Sequence, residues 1–311
     1  MPPSKPTIAL IIPIYNAAQD IPALLPAIMQ QSLQADHILI IDSSSTDNSQ
    51  HLLSQYPLTI HTIKKTDFDH GGTRKLATQL IDADIYIYLT QDAIPADADS
   101  FKHLVALLMS QEQIACVYGR QLPKADATAL SAHARLFNYP TSDQIRSFQD
   151  RNKYGIKTYF NSDSFAAYKK KPLETIGNFP ENVITSEDAY VAAKLLKQGY
   201  LVAYAANARV FHSHNLSLTE EFHRYFSIGV FHHRERDLLQ DFNSATGEGF
   251  RFIKSEIRYL IAQKKLYLLP KAFLSTLVKY SAYQLGRHEN ALPYSIKKRM
   301  GINKSYWLKP L

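Results

Sequence analysis

Short apolar runs that end in polar or acidic residues, each followed by an amphipathic stretch, recur through the first half of the chain and constrain its fold more than any other feature. Ile8 to Ile14, His37 to Ile41, Leu58 to Ile63, Ile85 to Leu89 and Ile114 to Gly119 have the length and branched or aromatic content of strands. Between them, Ile21 to Gln31, Ser49 to Ser54, Thr73 to Ile81 and Ser100 to Gln111 carry apolar residues at helical spacing. Such alternation predicts an α/β fold with a mostly parallel sheet covered by helices on both faces. Ligands of these sheets bind at the carboxyl ends of strands, beside a switch in strand order. Tyr15 and Asn16, Asp42 and Ser43, and Asp92 all stand at such ends.

Beyond this region the pattern loosens. Pro123 to Lys157 lacks periodicity and reads as an insertion or mobile segment over the site, where an acceptor could enter. Thr158 to Tyr168 reads as a strand, and Pro172 to Ile176 as a short helix stopped by Gly177. Ala189 to Gln198 reads as helix and Leu201 to Phe211 as strand, with further helices over Glu220 to Gln240 and Arg251 to Gly286. The expected division is a catalytic domain over 1–218 and a helical region over 219–311.

One cysteine, Cys116, excludes an internal disulfide framework and favours a reducing compartment. Thr7 to Tyr15 is too short to span a bilayer and lacks a signal-peptide cleavage site, and no other stretch approaches about twenty apolar residues. The net charge of +7 is uneven. From Arg251 onward, Lys and Arg, with Lys309 the last, alternate with aromatic and aliphatic residues against Glu256 and Glu289 alone. That composition suits an anionic membrane surface, each nearby cation contributing about 1 kcal/mol, or else a solvated helical face. No recognisable nucleic-acid module is present, so nucleic acid is not an expected partner.

Several groups of residues carry chemistry. Asp42-Ser43-Ser44-Ser45-Thr46-Asp47 follows an aliphatic strand, and its first acid could accept from a pyrimidine N3–H or a ribose hydroxyl; the same residues also make turns and helix caps. Phe68-Asp69-His70-Gly71-Gly72-Thr73-Arg74-Lys75 combines glycines, a helix start and two cations, a set able to hold a diphosphate or simply to begin a helix. Thr90-Gln91-Asp92 closes a buried strand, where a carboxylate can hold a divalent cation. Glu187-Asp188 opens a helix, whose dipole favours an ionised carboxylate available as a base. His212 and His214, two residues apart on an extended segment, face one side and could reach one ion or one phosphate.

On these stretches, together with Ile12-Pro13-Ile14-Tyr15-Asn16 and Leu89-Thr90-Gln91-Asp92-Ala93-Ile94-Pro95, the chain resembles the family 2 inverting glycosyltransferases of GT-A fold. Within them it is similar to the bacterial rhamnosyltransferases of O-antigen and related surface polysaccharides. The resemblance implies that Pro13, Tyr15, Asn16, Asp42, Ser44, Asp69, Arg74 and Gln91 form the donor nucleotide site. It implies Asp188 as catalytic base, with Glu187, Asn161 and Asp163 supporting the site. Asp92 matches the last acid of the family's Asp-x-Asp motif, and with His212 and His214 would bind Mg²⁺ or Mn²⁺. Thr90 replaces the first acid, which leaves metal dependence open.

The implied reaction is inverting transfer of L-rhamnose from dTDP-rhamnose to a lipid-linked saccharide by a peripheral protein on the cytoplasmic face of the membrane. Two alternatives stand beside it: the same chemistry with a UDP-linked hexose or galactofuranose, and a non-catalytic sugar-nucleotide-binding subunit.

Overall fold

The computed structural model describes residues 5–242, 247–304 and 306–308. β1 (Ile8–Ile14) is followed by α1 (Ile21–Met29), β2 (His37–Asp42), α2 (Ser49–Leu53), β3 (Thr59–Thr62), α3 (His70–Leu80), β4 (Ile85–Leu89), the short β5 (Ile94–Pro95) and α4 (Ser100–Met109). Then come β6 (Ile114–Leu122), α5 (Ala129–Asn138), β7 (Gln144–Arg146), α6 (Arg151–Tyr154), β8 (Phe165–Lys169), α7 (Lys170–Thr175), α8 (Glu187–Lys197) and β9 (Leu201–Phe211). Helices α9 (Leu218–Arg234), α10 (Arg236–Leu239), α11 (Glu248–Ala262), α12 (Leu269–Arg287) and α13 (Tyr294–Met300) complete the chain.

One sheet runs β3-β2-β1-β4-β8-β6-β9-β5, with β7 also paired to β9. The strands are pleated, so alternate residues enter opposite cores. In β1, Ala9 and Ile11 join one buried cluster while Ile8, Leu10 and Ile12 join the other. In β4, Tyr86 and Tyr88 pack with the residues of α8, and Ile85, Ile87 and Leu89 pack with those of α1 and α4. Each large side chain so buried contributes roughly 1.5–3 kcal/mol, which is why both faces must be covered.

The sheet is mixed rather than mostly parallel. β1, β2, β3 and β4 run parallel, as do β6 and β9, but β8 lies antiparallel between β4 and β6. This reversal puts the start of β8 beside the end of β4, with Leu89 opposite Phe165. The loop before β8 therefore reaches the same edge as the carboxyl ends of β1, β2, β4, β6 and β9.

Other expectations shift as well. Thr158 to Tyr168 is not one strand: a 3₁₀ turn covers Gly155–Tyr159, and pairing begins only at Phe165. Segment 123–157, which lacks periodicity in sequence, nonetheless supplies α5 and the strand β7 that adds to β9. Helix α3 starts at His70 rather than Thr73, because the Asp69 side chain accepts from Gly72 N and caps it there. The reading of one helix over Arg251 to Gly286 fails at Lys264, whose positive φ of 56° ends α11 before α12 begins.

The described helices from α9 onward pack on one another and on the sheet domain, with Phe226, Val230 and Phe231 of α9 joining its buried core. α9 and α12 cross with Gly229 against Gly286; a Cβ on Gly286 would stand 2.1 Å from Phe226 O. α11 docks on α5, where buried His133 Nε2 meets Ser255 Oγ at 2.9 Å. Among the described residues, no helix is long and apolar enough to cross a membrane. Lys309 lies outside the described residues.

Candidate active site

The ends of β1 and β2 form one wall. Asn16 and Ser44 both take left-handed backbone, at φ 50° and 57°, a conformation uncommon for residues with a side chain and concentrated at functional turns. Asn16 Oδ1 accepts from Thr46 N, and Asn16 N donates to Ser45 Oγ. Pro13 and Tyr15 remain partly exposed, and Lys65 Nζ stands 4.0 Å over the Tyr15 ring while donating to its hydroxyl at 2.8 Å. Asp42 is fully buried, accepting from Ser45 N, Ser45 Oγ and Gln50 Nε2. Ser44 Oγ donates to Ile63 O. Asp42 thus builds the turn from beneath, and the accessible surface there comes from Tyr15, Asn16, Ser44 and Lys65.

The opposite wall is the start of α8. Ser186 enters it with φ 63°, which aims Glu187 and Asp188 inward together. Arg74, expected beside the nucleotide, is instead buried: its Nη1 lies 2.9 Å from Glu187 Oε1 and its Nε 2.9 Å from Asp163 Oδ2. Gly71 serves packing, since a Cβ there would fall 1.8 Å from Pro180 O in the loop that leads to α8. Asp69 is likewise taken up with capping α3.

Charge is unevenly shared in this cluster. Burial raises the Glu187 carboxyl, but Arg74 and His70 outweigh it and hold the group below its ordinary value. Burial pushes Asp163 up to about 6 despite Arg74. Asp188, still partly open to solvent, is raised well above the carboxylate range by its dense surroundings and by the charges of Glu187 and Asp163. The helix N-terminus was expected to keep this carboxylate readily ionised, but burial and neighbouring negative charge outweigh it at Asp188. A raised carboxylate is a stronger proton acceptor once ionised, which is what a general base requires.

At the third corner, Asp92 Oδ2 lies 3.3 Å from His212 Nε2 and 3.6 Å from His214 Nε2, and the candidate ligand atoms of all three fall within 4.8 Å of one another. Burial would raise Asp92, but the hydrogen bond from His212 and the charges of both histidines hold it well below its ordinary value. Burial and the nearby His212 lower His214 to about 4, so its ring is neutral near pH 7. An ionised carboxylate and a neutral imidazole are the forms that bind a divalent cation, so the donor set fits.

Sequence reasoning missed the group that orients His212. Buried Gln121 accepts at Oε1 from Arg135 Nη1 and meets His212 Nδ1 there at 2.9 Å, while its Nε2 donates to Ser162 Oγ. Arg135 can only donate, so Oε1 must face it. His212 then donates from Nδ1, which fixes the ring with Nε2 facing Asp92. Gln121 lies at the end of β6, two residues beyond the expected strand, so the strand-end rule pointed at it once the strand's true length was known.

Loop 161–164 connects the walls. Asp163 N donates to Asp188 Oδ2 at 3.3 Å, Ser162 meets Gln121, and Ser164 O accepts from Thr90 N. Tyr168 links to both Asn161 and Asp163, taking 2.6 Å from Asn161 Nδ2 and giving 2.5 Å to Asp163 Oδ1. Gln91 continues the chain by accepting from Tyr15 N and donating to Asp20. Residues distant in sequence therefore share one hydrogen-bonded crevice.

Residues 9–177 match the family described as Glycosyl transferase family 2. The chain belongs to glycosyltransferase family 2. This family 2 glycosyltransferase is 47% identical to the O-antigen chain rhamnosyltransferase RfbN of Salmonella typhimurium over 96% of each chain. It is 42% identical to the O-antigen chain rhamnosyltransferase WbaN of Salmonella anatum, over 97% of this chain and 96% of the relative. Among solved structures, it is similar to the mannosyltransferase PcManGT of Pyrobaculum calidifontis, solved with GDP-Man and Mn²⁺, at a TM-score of 0.58, 18% identity, and coverage of 99% and 86%. TarS of S. aureus, residues 1–349 with UDP-GlcNAc, aligns at 0.55 with 12% identity, over 91% and 92%. The enzyme's curled mixed sheet with flanking helices is accordingly a GT-A-like fold, with a helical region at its C-terminal end.

Proposed function

We propose that this enzyme transfers L-rhamnose from dTDP-L-rhamnose to a hydroxyl of a lipid-linked saccharide in O-antigen synthesis, with inversion, as a peripheral protein on the inner face of the cytoplasmic membrane. The observation that carries the sugar is the likeness to RfbN and WbaN along nearly the whole chain. The likeness includes the helical region as well as the sheet.

In this reading Tyr15, Asn16 and Lys65 receive the nucleotide, and Gln91 holds their wall against Asp92. Asp188 takes the proton of the acceptor hydroxyl. The freed oxygen bonds to the anomeric carbon as the bond from that carbon to the diphosphate oxygen breaks, and that electron pair leaves with dTDP. Attack from the opposite face inverts the centre without a covalent intermediate. What supports Asp188 as the base is its raised proton affinity, its partial exposure and its place across the crevice loop from Asp92.

Asp92, His212 and His214 would hold a divalent cation, which when bound neutralises charge on the diphosphate. Two imidazoles favour Mn²⁺ over Mg²⁺, because Mg²⁺ prefers all-oxygen coordination. Thr90 offers no carboxylate at the position of the first motif acid, so the second histidine takes its part in this reading.

The test is calorimetric titration of the protein with dTDP, UDP and GDP, with and without Mn²⁺, followed by transfer assays with dTDP-rhamnose. Mn²⁺-enhanced preference for dTDP and inverted product are expected. Preference for UDP would overturn the donor, and nucleotide binding without transfer to any lipid-linked acceptor would favour the non-catalytic subunit.

A further inference from the structure

The elbow between α11 and α12 presents large apolar side chains to solvent. Tyr267 is 75% exposed and Phe273 67% exposed, and Ile261, Leu266, Leu277 and Tyr280 are exposed with them. Phe273, Leu277 and Tyr280 recur at i, i+4 and i+7, which places them along one face of α12. The opposite face, with Ala272, Ser275, Ala282 and Gly286, is buried. Exposed large apolar residues elsewhere, such as Ile60, Met109 and Ile145, sit on separate elements, as is usual on a protein surface.

The charge around this elbow has one sign. Lys254, Arg258, Lys264 and Lys271 are exposed, Lys265 lies half-buried among them, and none of the five has an acidic partner among the described residues. The nearby acids are turned inward: Glu256 is buried towards His133, and Glu248 pairs with Lys157 and Arg251. Aromatic and aliphatic groups interleaved with unpaired cations match the interface of an anionic bilayer, where acyl chains receive the rings and headgroups the ammonium groups. A second copy docked on this face would bring like charges together.

We infer that the α11–α12 elbow is the membrane-docking face of the enzyme and that its occupant is an anionic lipid bilayer. The inference deepens the lipid-linked acceptor reading and rests on it for its purpose, because docking would bring the crevice to an acceptor held in the membrane.

The test is co-sedimentation of the full chain with phosphatidylcholine vesicles containing or lacking phosphatidylglycerol, at low and high salt. Binding to the anionic vesicles alone, weakened by salt, is expected. Lys264→Gln/Lys265→Gln/Lys271→Gln should weaken it on the order of 100-fold, at roughly fivefold per cation. Phe273→Ser/Tyr267→Ser should also weaken it, and dTDP binding by every variant should match the parent and report intact folding. Equal binding to both vesicle types, no binding, or triple-variant binding equal to the parent would overturn the inference. So would a concentration-dependent dimer that Phe273→Ser disrupts without any vesicle binding. Loss of vesicle binding with transfer to a soluble acceptor retained separates this face from the transferase reading, which fails only if transfer itself is absent.

Discussion

Glu187 stands beside the proposed base yet gives its carboxylate to Arg74, whose Nη1 lies 2.9 Å away in the buried layer beneath the crevice. Arg74 also touches Asp163, so one cation balances two of the acids that surround Asp188. Removing a single partner from a buried ion pair leaves uncompensated charge. Arg74→Met should therefore destabilise the fold by about 3–5 kcal/mol, measured by chemical denaturation. Lys at this position has no planar fork to meet both acids, so Arg74→Lys should recover only part of that loss. A fully stable Arg74→Met variant would contradict this account.

Asp188→Asn should reduce kcat by about 10²–10⁴-fold, the usual range for a general base, and leave dTDP affinity close to the parent value. Rapid-quench transfer assays and calorimetry separate the two effects. A large loss of nucleotide affinity would assign Asp188 to binding instead.

The pH profile follows from the same cluster. Only the ionised Asp188 can accept a proton, and burial with neighbouring negative charge raises its pKa. Activity should thus climb with pH along an acid limb above the ordinary carboxylate value of about 4. Asp163→Asn removes one of those charges, which favours the ionised form, so the limb should move to lower pH. An unmoved limb would separate Asp163 from the base.

Gln121→Leu should lower Mn²⁺ affinity roughly 10–100-fold, as loss of an outer partner of a ligating His commonly does. Titration followed by electron paramagnetic resonance reads this without any turnover. Gln121→Glu keeps an acceptor between Arg135 and His212 and should retain most of the affinity. Equal affinities in the parent and the Leu variant would remove Gln121 from the ligand frame.

The α9–α12 crossing should tolerate no added side chain at Gly286, because its Cβ would enter the α9 backbone at Phe226 O. Gly286→Val is expected to destabilise by about 1–3 kcal/mol or more, the range for overpacking, and deletion of residues 251–311 to unfold the protein. Thermal and urea melts decide both. A stable deletion would make the helical region a separate appendage.

Much of this was legible in the residues themselves. Short continuous apolar runs mark β1, β2 and β4, and the polar residues that end them lie at the crevice because strand direction is set by the chain. Asp92, Glu187-Asp188 and His212 with His214 were identifiable from residue type and position at element ends. The roles inside the crevice were less legible. Arg74 and Asp69 have the composition of a phosphate loop, but a side chain's partner depends on what packs over it, and here that is α8 and the 161–164 loop.

Local pattern alone therefore determined the alternating α/β architecture, the edge of the sheet that would carry function and, through its motifs, the family. Tertiary structure decided the reversal of β8, which depends on pairing between residues far apart in the chain. That reversal brings Asp163 against Asp188 and Ser162 against Gln121. It also decided proton affinity, since burial and neighbouring charge act through space and leave no mark on sequence spacing. The same holds for the exposed α11–α12 elbow: α12 shows its apolar face to solvent only because α9 has already taken the other one.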